Sequence, residues 1–229
     1  MGREDWYKRK TWTAADQRAF WARFDQSRSA VSKTQYLLIQ AGSLLSTGNL
    51  ELVAPALTIV DRLLDQHPHE AFLSEAHATR ARCLAVLRQF DEALSSYRLA
   101  FDAQRARRGM TNLAHLEFAW LIVEAGRVDL YDEALQMLDE FSRRAGLFPL
   151  HAYQEAAARA LMWSGKGENG RAAAYAREAI AASSKSASPF LHRRHLGGVN
   201  DIDQKLQARL FALAGAQPAA AADGASPRR

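Results

Sequence analysis

Cysteine is nearly absent from this chain of 229 residues, in which Cys83 stands alone. A single thiol excludes an internal disulfide and any cysteine-based zinc site. Because Cys83 lies among apolar residues at helical spacing, we predict an inert core residue rather than a reactive thiol.

Long apolar runs are missing as well. No stretch approaches the roughly 20 apolar residues that a membrane-spanning helix needs. The opening sequence MGREDWYKRK is too polar for a secretory signal. The sequence therefore predicts a cytoplasmic protein without a membrane partner.

The common motifs of catalysis are missing too. There is no GxSxG nucleophile elbow, no Ser-x-x-Lys pair and no HExxH zinc motif. The acidic residues are spread over predicted helix surfaces, so the sequence nominates no pair of carboxylates as acid and base. We therefore predict a protein that is not an enzyme and has no cofactor and no metal.

Two partial motifs have unsuitable surroundings. The stretch GKGENG (165–170) matches the glycine pattern of dinucleotide sites, but a predicted helix precedes it where those folds need a strand, so an interhelical turn is favoured. His192 and His195 invite a metal site, or an enzyme that uses the loop 193–203. Because neighbouring arginines would repel a metal ion, a polar loop is favoured there.

Two amphipathic helices are predicted between His77 and Phe101, with a break near Arg88 and Gln89. Apolar residues recur there at steps of three and four positions, which is the helical period. Alanines on both helices would let them approach closely. The sequence therefore predicts a helix–turn–helix unit.

This unit is similar to the tetratricopeptide repeat, a helix–turn–helix motif of about 34 residues. The small residues of that motif correspond to Ala81, Ala93 and Ala100, and its aromatic residues correspond to Tyr97 and Phe90.

Three weaker copies extend the resemblance. In each, an alanine stands seven residues before a glycine and a second alanine stands eight residues after it. The three sets are Ala41, Gly48 and Ala56; Ala119, Gly126 and Ala134; and Ala158, Gly165 and Ala173. Glycine suits the left-handed end of a helix. Since the gap from glycine to alanine is longer than in the family, we predict longer turns.

The resemblance implies an all-α fold, a right-handed α-solenoid of about four antiparallel helix pairs with a capping helix at each end. Thr13 is predicted to cap the first helix at the amide of Asp16. The predicted segments are an aromatic and basic cap at 1–34, helical repeats at 35–182, an irregular loop at 183–200, a capping helix at 201–215 that starts at Asn200 or Asp201, and a disordered tail at 216–229.

In tetratricopeptide proteins, the first helices of successive repeats line a concave groove that binds peptides or partner helices. The corresponding positions are Gln35, Leu38, Ile39, Thr79, Arg82, Glu117, Trp120, Glu155, Arg159 and Trp163. The two tryptophans would be binding hot spots if they face the groove. The alternative is that they pack against the next repeat.

Basic residues suggest a second kind of partner. The formal net charge is +5, and the excess gathers at Lys8, Arg9, Lys10, Arg105, Arg107, Arg108, Arg193 and Arg194. Such clusters attract nucleic acid through its phosphates.

Aromatic residues gather in the front segment, at Trp6, Tyr7, Trp12, Phe20, Trp21 and Phe24. They form either a binding surface or a hydrophobic cap on the first repeat, and we predict the cap, with Lys8, Arg9 and Lys10 in solvent.

The leading interpretation is a non-catalytic protein–protein interaction module that binds a peptide or protein in the groove. Such a module could be an adaptor, a chaperone-like holder or an inhibitor of its partner. Nucleic-acid binding through the basic patch is the alternative.

Overall fold

The computed structural model describes residues 5–107, 112–142, 148–183 and 203–215. Within these ranges the chain is all-helical, with ten α-helices and no strand. The all-α prediction is therefore confirmed. The chain divides into two compact units, Met1–Leu121 and Ile122–Arg229.

The first unit contains five helices and most of a sixth, which continues to Glu124, three residues past the unit boundary. They are α1 (Ala14–Gln26), α2 (Ala30–Leu45), α3 (Val53–Gln66), α4 (Leu73–Val86), α5 (Phe90–Ala106) and α6 (Ala114–Glu124). Neighbours along the chain pack together: α2 on α3, α3 on α4, and α4 on α5.

The second unit contains four helices, α7 (Tyr131–Phe141), α8 (Pro149–Gly165), α9 (Asn169–Ser183) and α10 (Gln204–Ala214). Here α8 packs on α9, and α9 packs on α10. The last helix has Asp203 as its N-cap and begins at Gln204, which is three residues beyond Asp201 and four beyond Asn200, the two predicted starts. The predicted loop at 183–200 and tail at 216–229 lie outside the described residues, apart from Ser183, which ends α9.

Most of the alanines at the recurring positions of the sequence are buried. Ala41, Ala56, Ala81, Ala93, Ala100, Ala119, Ala134 and Ala158 are all fully buried. Small side chains at helix contacts let the backbones approach closely, which is what their spacing in the sequence predicts. Tyr97 is buried beside them, whereas Phe90 is half-buried.

The turns inside the pairs have two lengths. Gly48 and Gly126 have φ of +69° and +65°, as predicted for left-handed helix ends, and a 3₁₀ turn follows each of them (Leu50–Leu52 and Val128–Leu130). In the other two pairs no 3₁₀ turn intervenes, and the left-handed residues are Arg88 (φ +62°) and Gly167 (φ +77°).

In the fourth pair, α8 and α9, the left-handed residue of the turn lies two residues from its predicted position, and the buried alanine of α9 lies one residue from its predicted position. Gly165 is still helical, because α8 continues to it, and Gly167 takes the left-handed conformation. The buried alanine after this turn is Ala172, whereas Ala173 is half-buried. A short turn therefore replaces the predicted long one.

The front segment packs against α2 and α3. Phe20 and Phe24 are buried in one core with residues of α2 and α3, and Trp6, Tyr7, Trp12 and Trp21 pack against that core. The rings of Trp6 and Tyr7 each lie 4.8 Å from the ring of Tyr36.

The first helix begins at the predicted cap. Thr13 accepts a hydrogen bond from the amide of Asp16 at 3.2 Å, and the Asp16 carboxylate accepts one from the amide of Thr13 at 3.0 Å. Hydrogen bonds from Thr13 and Thr11 lower the pKa of Asp16 to about 2. This reciprocal pair satisfies two amides that a helix start would otherwise leave without partners.

Arg9 was predicted to lie in solvent, and this prediction was wrong. Its backbone exchanges two hydrogen bonds with the buried amide of Gln40, at 3.0 and 2.9 Å, and its guanidinium contacts Asp16 at 2.6 Å. Because a buried amide is costly to leave unpaired, Gln40 fixes the front segment on α2.

Candidate functional site

The predicted groove residues fall into both units. Seven lie in the first unit: Gln35, Leu38, Ile39, Thr79, Arg82, Glu117 and Trp120. Glu155, Arg159 and Trp163 lie in the second. Each set includes an arginine that is held by carboxylates, and each is described separately.

The Arg82 cluster joins α4 and α6 and consists of Arg82, Glu75, Thr79, Glu117 and Tyr97. Arg82 donates from Nη2 to Glu75 and, at 2.8 Å, to the hydroxyl of Thr79. Its Nη1 donates to Oε1 of Glu117 at 3.4 Å. Thr79 is 1% exposed, so it orients Arg82 from below and offers no surface of its own.

Tyr97 connects the cluster to α5, because its hydroxyl donates to Oε2 of Glu117 at 3.3 Å. Burial raises the pKa of Glu117, although Arg82 opposes this shift, and burial also raises the pKa of Tyr97. For Arg82, burial opposes the charge, but Glu117 and Glu75 outweigh it, so its pKa is raised. The side chains of Arg82 and Glu117 nevertheless remain 37% and 29% exposed. The cluster is therefore a preorganised polar surface that a partner can still reach.

Trp120 lies one helical turn after Glu117 on α6 and is half-buried. Its indole Nε1 is buried and has no acceptor among the described residues. A buried donor of this kind usually has a partner. Trp120 is thus neither a fully packed core residue nor an exposed one.

On α2, the predicted groove residues are more apolar. Gln35 is exposed, and Leu38 and Ile39 are half-buried, with Leu38 packed against the core of the first unit. Gly42, one turn further, has no atom within 4 Å of the position that a Cβ would take.

The Arg159 cluster joins α7, α8 and α9 and consists of Arg159, Glu155, Asp139 and Tyr175. The Arg159 side chain is only 8% exposed. It donates from Nε to Glu155 at 3.0 Å and from Nη1 to Asp139 at 2.7 Å. Burial opposes its charge, but the two carboxylates outweigh it and raise the pKa of Arg159. Its guanidinium also lies 5.6 Å from the ring centre of Tyr175.

A small pocket opens beside this cluster, with a volume of about 110 Å³. Its walls include Ala152, Glu155, Ala156 and Arg159 of α8, and Tyr175 and Glu178 of α9. Glu178 is exposed and makes no hydrogen bond or ion pair with a described residue.

Trp163 lies one turn beyond Arg159 and is half-buried. The guanidinium of Arg171 lies 4.5 Å from its ring centre, and Lys166 lies 5.9 Å away. Its Nε1 is buried without an acceptor among the described residues, as in Trp120. Cations cover the ring face of Trp163, so its open surface is smaller than the sequence suggested.

The basic patch is largely neutralised where the structure describes it. Lys8 pairs with Asp5 at 3.2 Å, Arg9 with Asp16 at 2.6 Å, Arg105 with Asp102 at 2.9 Å, and Arg107 with Glu70. Lys10 is exposed, and Arg108, Arg193 and Arg194 lie outside the described residues.

The residues considered for chemistry occupy ordinary structural positions. Cys83 is fully buried, as predicted, and burial raises its pKa to about 12. The GKGENG stretch joins α8 to α9 as an interhelical turn. His192 and His195 lie outside the described residues. In the part that is described, no three histidine, cysteine or acidic residues converge as metal ligands.

Sequence reasoning missed several members of the two clusters. Glu75 lies four residues before Thr79 and seven before Arg82, so the helical period could have placed all three on one face. Asp139, Tyr175 and Glu178 come from other helices, and only tertiary packing brings them to Arg159.

None of the helices in the described ranges combines the length and apolar character needed to cross a membrane. Neither a protein-family model nor a curated protein sequence matches the chain. Its function must therefore be inferred from the side chains themselves.

Proposed function

We propose that this chain is a non-catalytic protein–protein interaction module of the tetratricopeptide-like type. Its helix pairs would form a short α-solenoid whose first helices bind a peptide or a segment of a partner protein. An adaptor, a chaperone-like holder and an inhibitor of a partner all share this binding step.

The observation that carries the proposal is the Arg82 cluster together with Trp120. Glu117 and Trp120 are three residues apart on α6 and so share one face of that helix. This face offers a large aromatic surface with a buried donor, beside a guanidinium and carboxylates that hydrogen bonds already hold in place. Tryptophan and arginine in such partly desolvated settings are the residues most enriched at binding hot spots.

The described charges favour a protein partner over nucleic acid. Phosphate binding needs basic side chains that are free to replace counterions, and four of the five described members of the basic patch have carboxylate partners. Helix pairs with buried alanines at matching positions also support the repeat interpretation.

Affinity capture tests the proposal. The tagged chain is incubated with native lysate and washed at low and at high salt, and both bound protein and bound nucleic acid are identified. We expect a defined protein that resists the high-salt wash, because contacts with a partly apolar face depend little on ionic strength. Nucleic acid that is released by salt would instead make the basic patch the binding surface.

The captured protein is then purified and titrated against variants. Trp120→Ala should weaken binding by about 30-fold or more, the effect expected of a hot-spot tryptophan. Leu99→Ala is the matched control, because Leu99 lies on α5 in the same unit and is 49% exposed. Equal affinities of the two variants would contradict the proposed site, provided that circular dichroism shows both folded.

A further inference from the structure

We propose that the pocket between α8 and α9 binds a positively charged side chain, a lysine or an arginine, of the partner segment. This inference rests on the protein-binding function proposed above and adds the chemistry of one anchor.

The charges around the pocket are unbalanced. Arg159 is the one arginine or lysine among the described residues that line the pocket or contact the cluster, and Glu155 and Asp139 already hold its charge. His151 lines the pocket as well. Glu178 adds a third carboxylate, which has no partner among the described residues. The three carboxylates outnumber Arg159 and His151, so the local balance is negative, and the exposed Glu178 is the unpaired carboxylate of the pocket.

The shape suits a long side chain with a charged end. Ala152 and Ala156 lie on successive turns of α8, and their methyl groups form one wall of the pocket. The ring of Tyr175 forms another wall. Lysine and arginine pack their methylene stems on apolar surfaces of this kind while the charged end stays near water and carboxylates. At about 110 Å³, the pocket has room for the end of one such side chain.

An anionic ligand fits much less well. It would have to share Arg159 with Glu155 and Asp139, whose contacts with the guanidinium are 3.0 and 2.7 Å. It would also face Glu178, and like charges in a partly desolvated site repel each other strongly. A neutral apolar side chain would leave the carboxylate of Glu178 without a partner.

Nuclear magnetic resonance titration of the ¹⁵N-labelled full chain tests the inference. The probe is N-acetyl-lysine-N-methylamide, and N-acetyl-norleucine-N-methylamide is its neutral counterpart with the same stem. We expect saturable shifts of the Ala156, Tyr175 and Glu178 amides with the lysine probe only. Equal binding of the norleucine probe, preferential binding of N-acetyl-glutamate-N-methylamide or no saturable shift at these amides would overturn the proposal.

Two charge-matched variants sharpen the test. Glu178→Gln should weaken binding of the lysine probe by about threefold to fivefold, the effect of losing one solvent-accessible ion pair. Glu168→Gln is the control, since Glu168 is exposed on the α8–α9 turn and does not line the pocket. An unchanged affinity for Glu178→Gln, or an equal loss for the control, would overturn the assignment.

The two proposals can fail separately. If a captured partner is lost on Trp120→Ala but the lysine probe does not bind, the interaction function stands and the cationic anchor is wrong. If the probe binds as described but no protein partner is captured, the pocket stands and the proposed function is wrong.

Discussion

Two helical glycines should respond in opposite ways to the same substitution by alanine. Gly42 lies inside α2, where an added Cβ would have no atom within 4 Å apart from the adjacent residues and the backbone of its own helix. Alanine there should stabilise the first unit by about 0.5 to 1 kcal/mol, because glycine loses more backbone entropy in a helix. Gly165 is the last residue of α8, and a Cβ there would lie 2.6 Å from Cε2 of Tyr131.

Tyr131 cannot move aside easily, since it is only 6% exposed. Overpacking of this kind costs about 1 to 3 kcal/mol, which exceeds the gain in helix propensity. Gly165→Ala should therefore destabilise the second unit by about 0.5 to 2 kcal/mol.

Urea unfolding followed by circular dichroism measures both effects, with tryptophan fluorescence as a second probe because the two units need not unfold together. The midpoint should rise for Gly42→Ala and fall for Gly165→Ala. Shifts of the same sign would refute the reasoning, because helix propensity would then dominate at both sites and the contact with Tyr131 would have no decisive energetic effect.

Three further substitutions or treatments test individual features of the fold. Arg88 has a φ of +62°, a left-handed backbone conformation that is unfavourable for residues other than glycine. Arg88→Gly should therefore stabilise the chain by about 1 kcal/mol, measured by thermal melts. The lowered pKa of Asp16 stabilises the fold above the unfolded pKa, and this contribution is lost as the pH falls towards about 2. Asp16→Asn should therefore be less stable than the parent at pH 7, with a smaller difference at pH 2, in urea titrations at each pH. Cys83 should resist a thiol reagent at pH 8 until denaturant is added, since it is fully buried and its pKa is raised to about 12; rapid labelling of the native protein would contradict this.

Local signals in the sequence predicted much of the fold. The cap at Thr13, the buried alanines and the left-handed Gly48 and Gly126 all depend on residues close together in the chain. Such features follow from helical period and backbone preferences alone.

The errors concerned the residues that take the left-handed conformation at helix ends. Gly165 and Gly167 can both end a helix, and only the extension of α8 decides between them. Arg88 was missed as a left-handed residue because arginine has no intrinsic preference for that conformation.

The candidate sites were less predictable than the fold. The sequence placed Arg82 and Arg159 on exposed faces but gave no sign that Glu117 reaches Arg82 from α6 or that Asp139 reaches Arg159 from α7. These contacts depend on how helices cross, which periodicity within one helix does not determine.

The two turn lengths have a practical consequence for engineering. Five residues separate Arg88 from the buried Ala93, and eight separate Gly48 from the buried Ala56, yet both connections deliver the next helix to an alanine contact. The additional three residues are accommodated as a single 3₁₀ turn at the surface, where Leu50 is 71% exposed. These turns are therefore natural places to insert an epitope or a labelling tag without disturbing either helix of a pair.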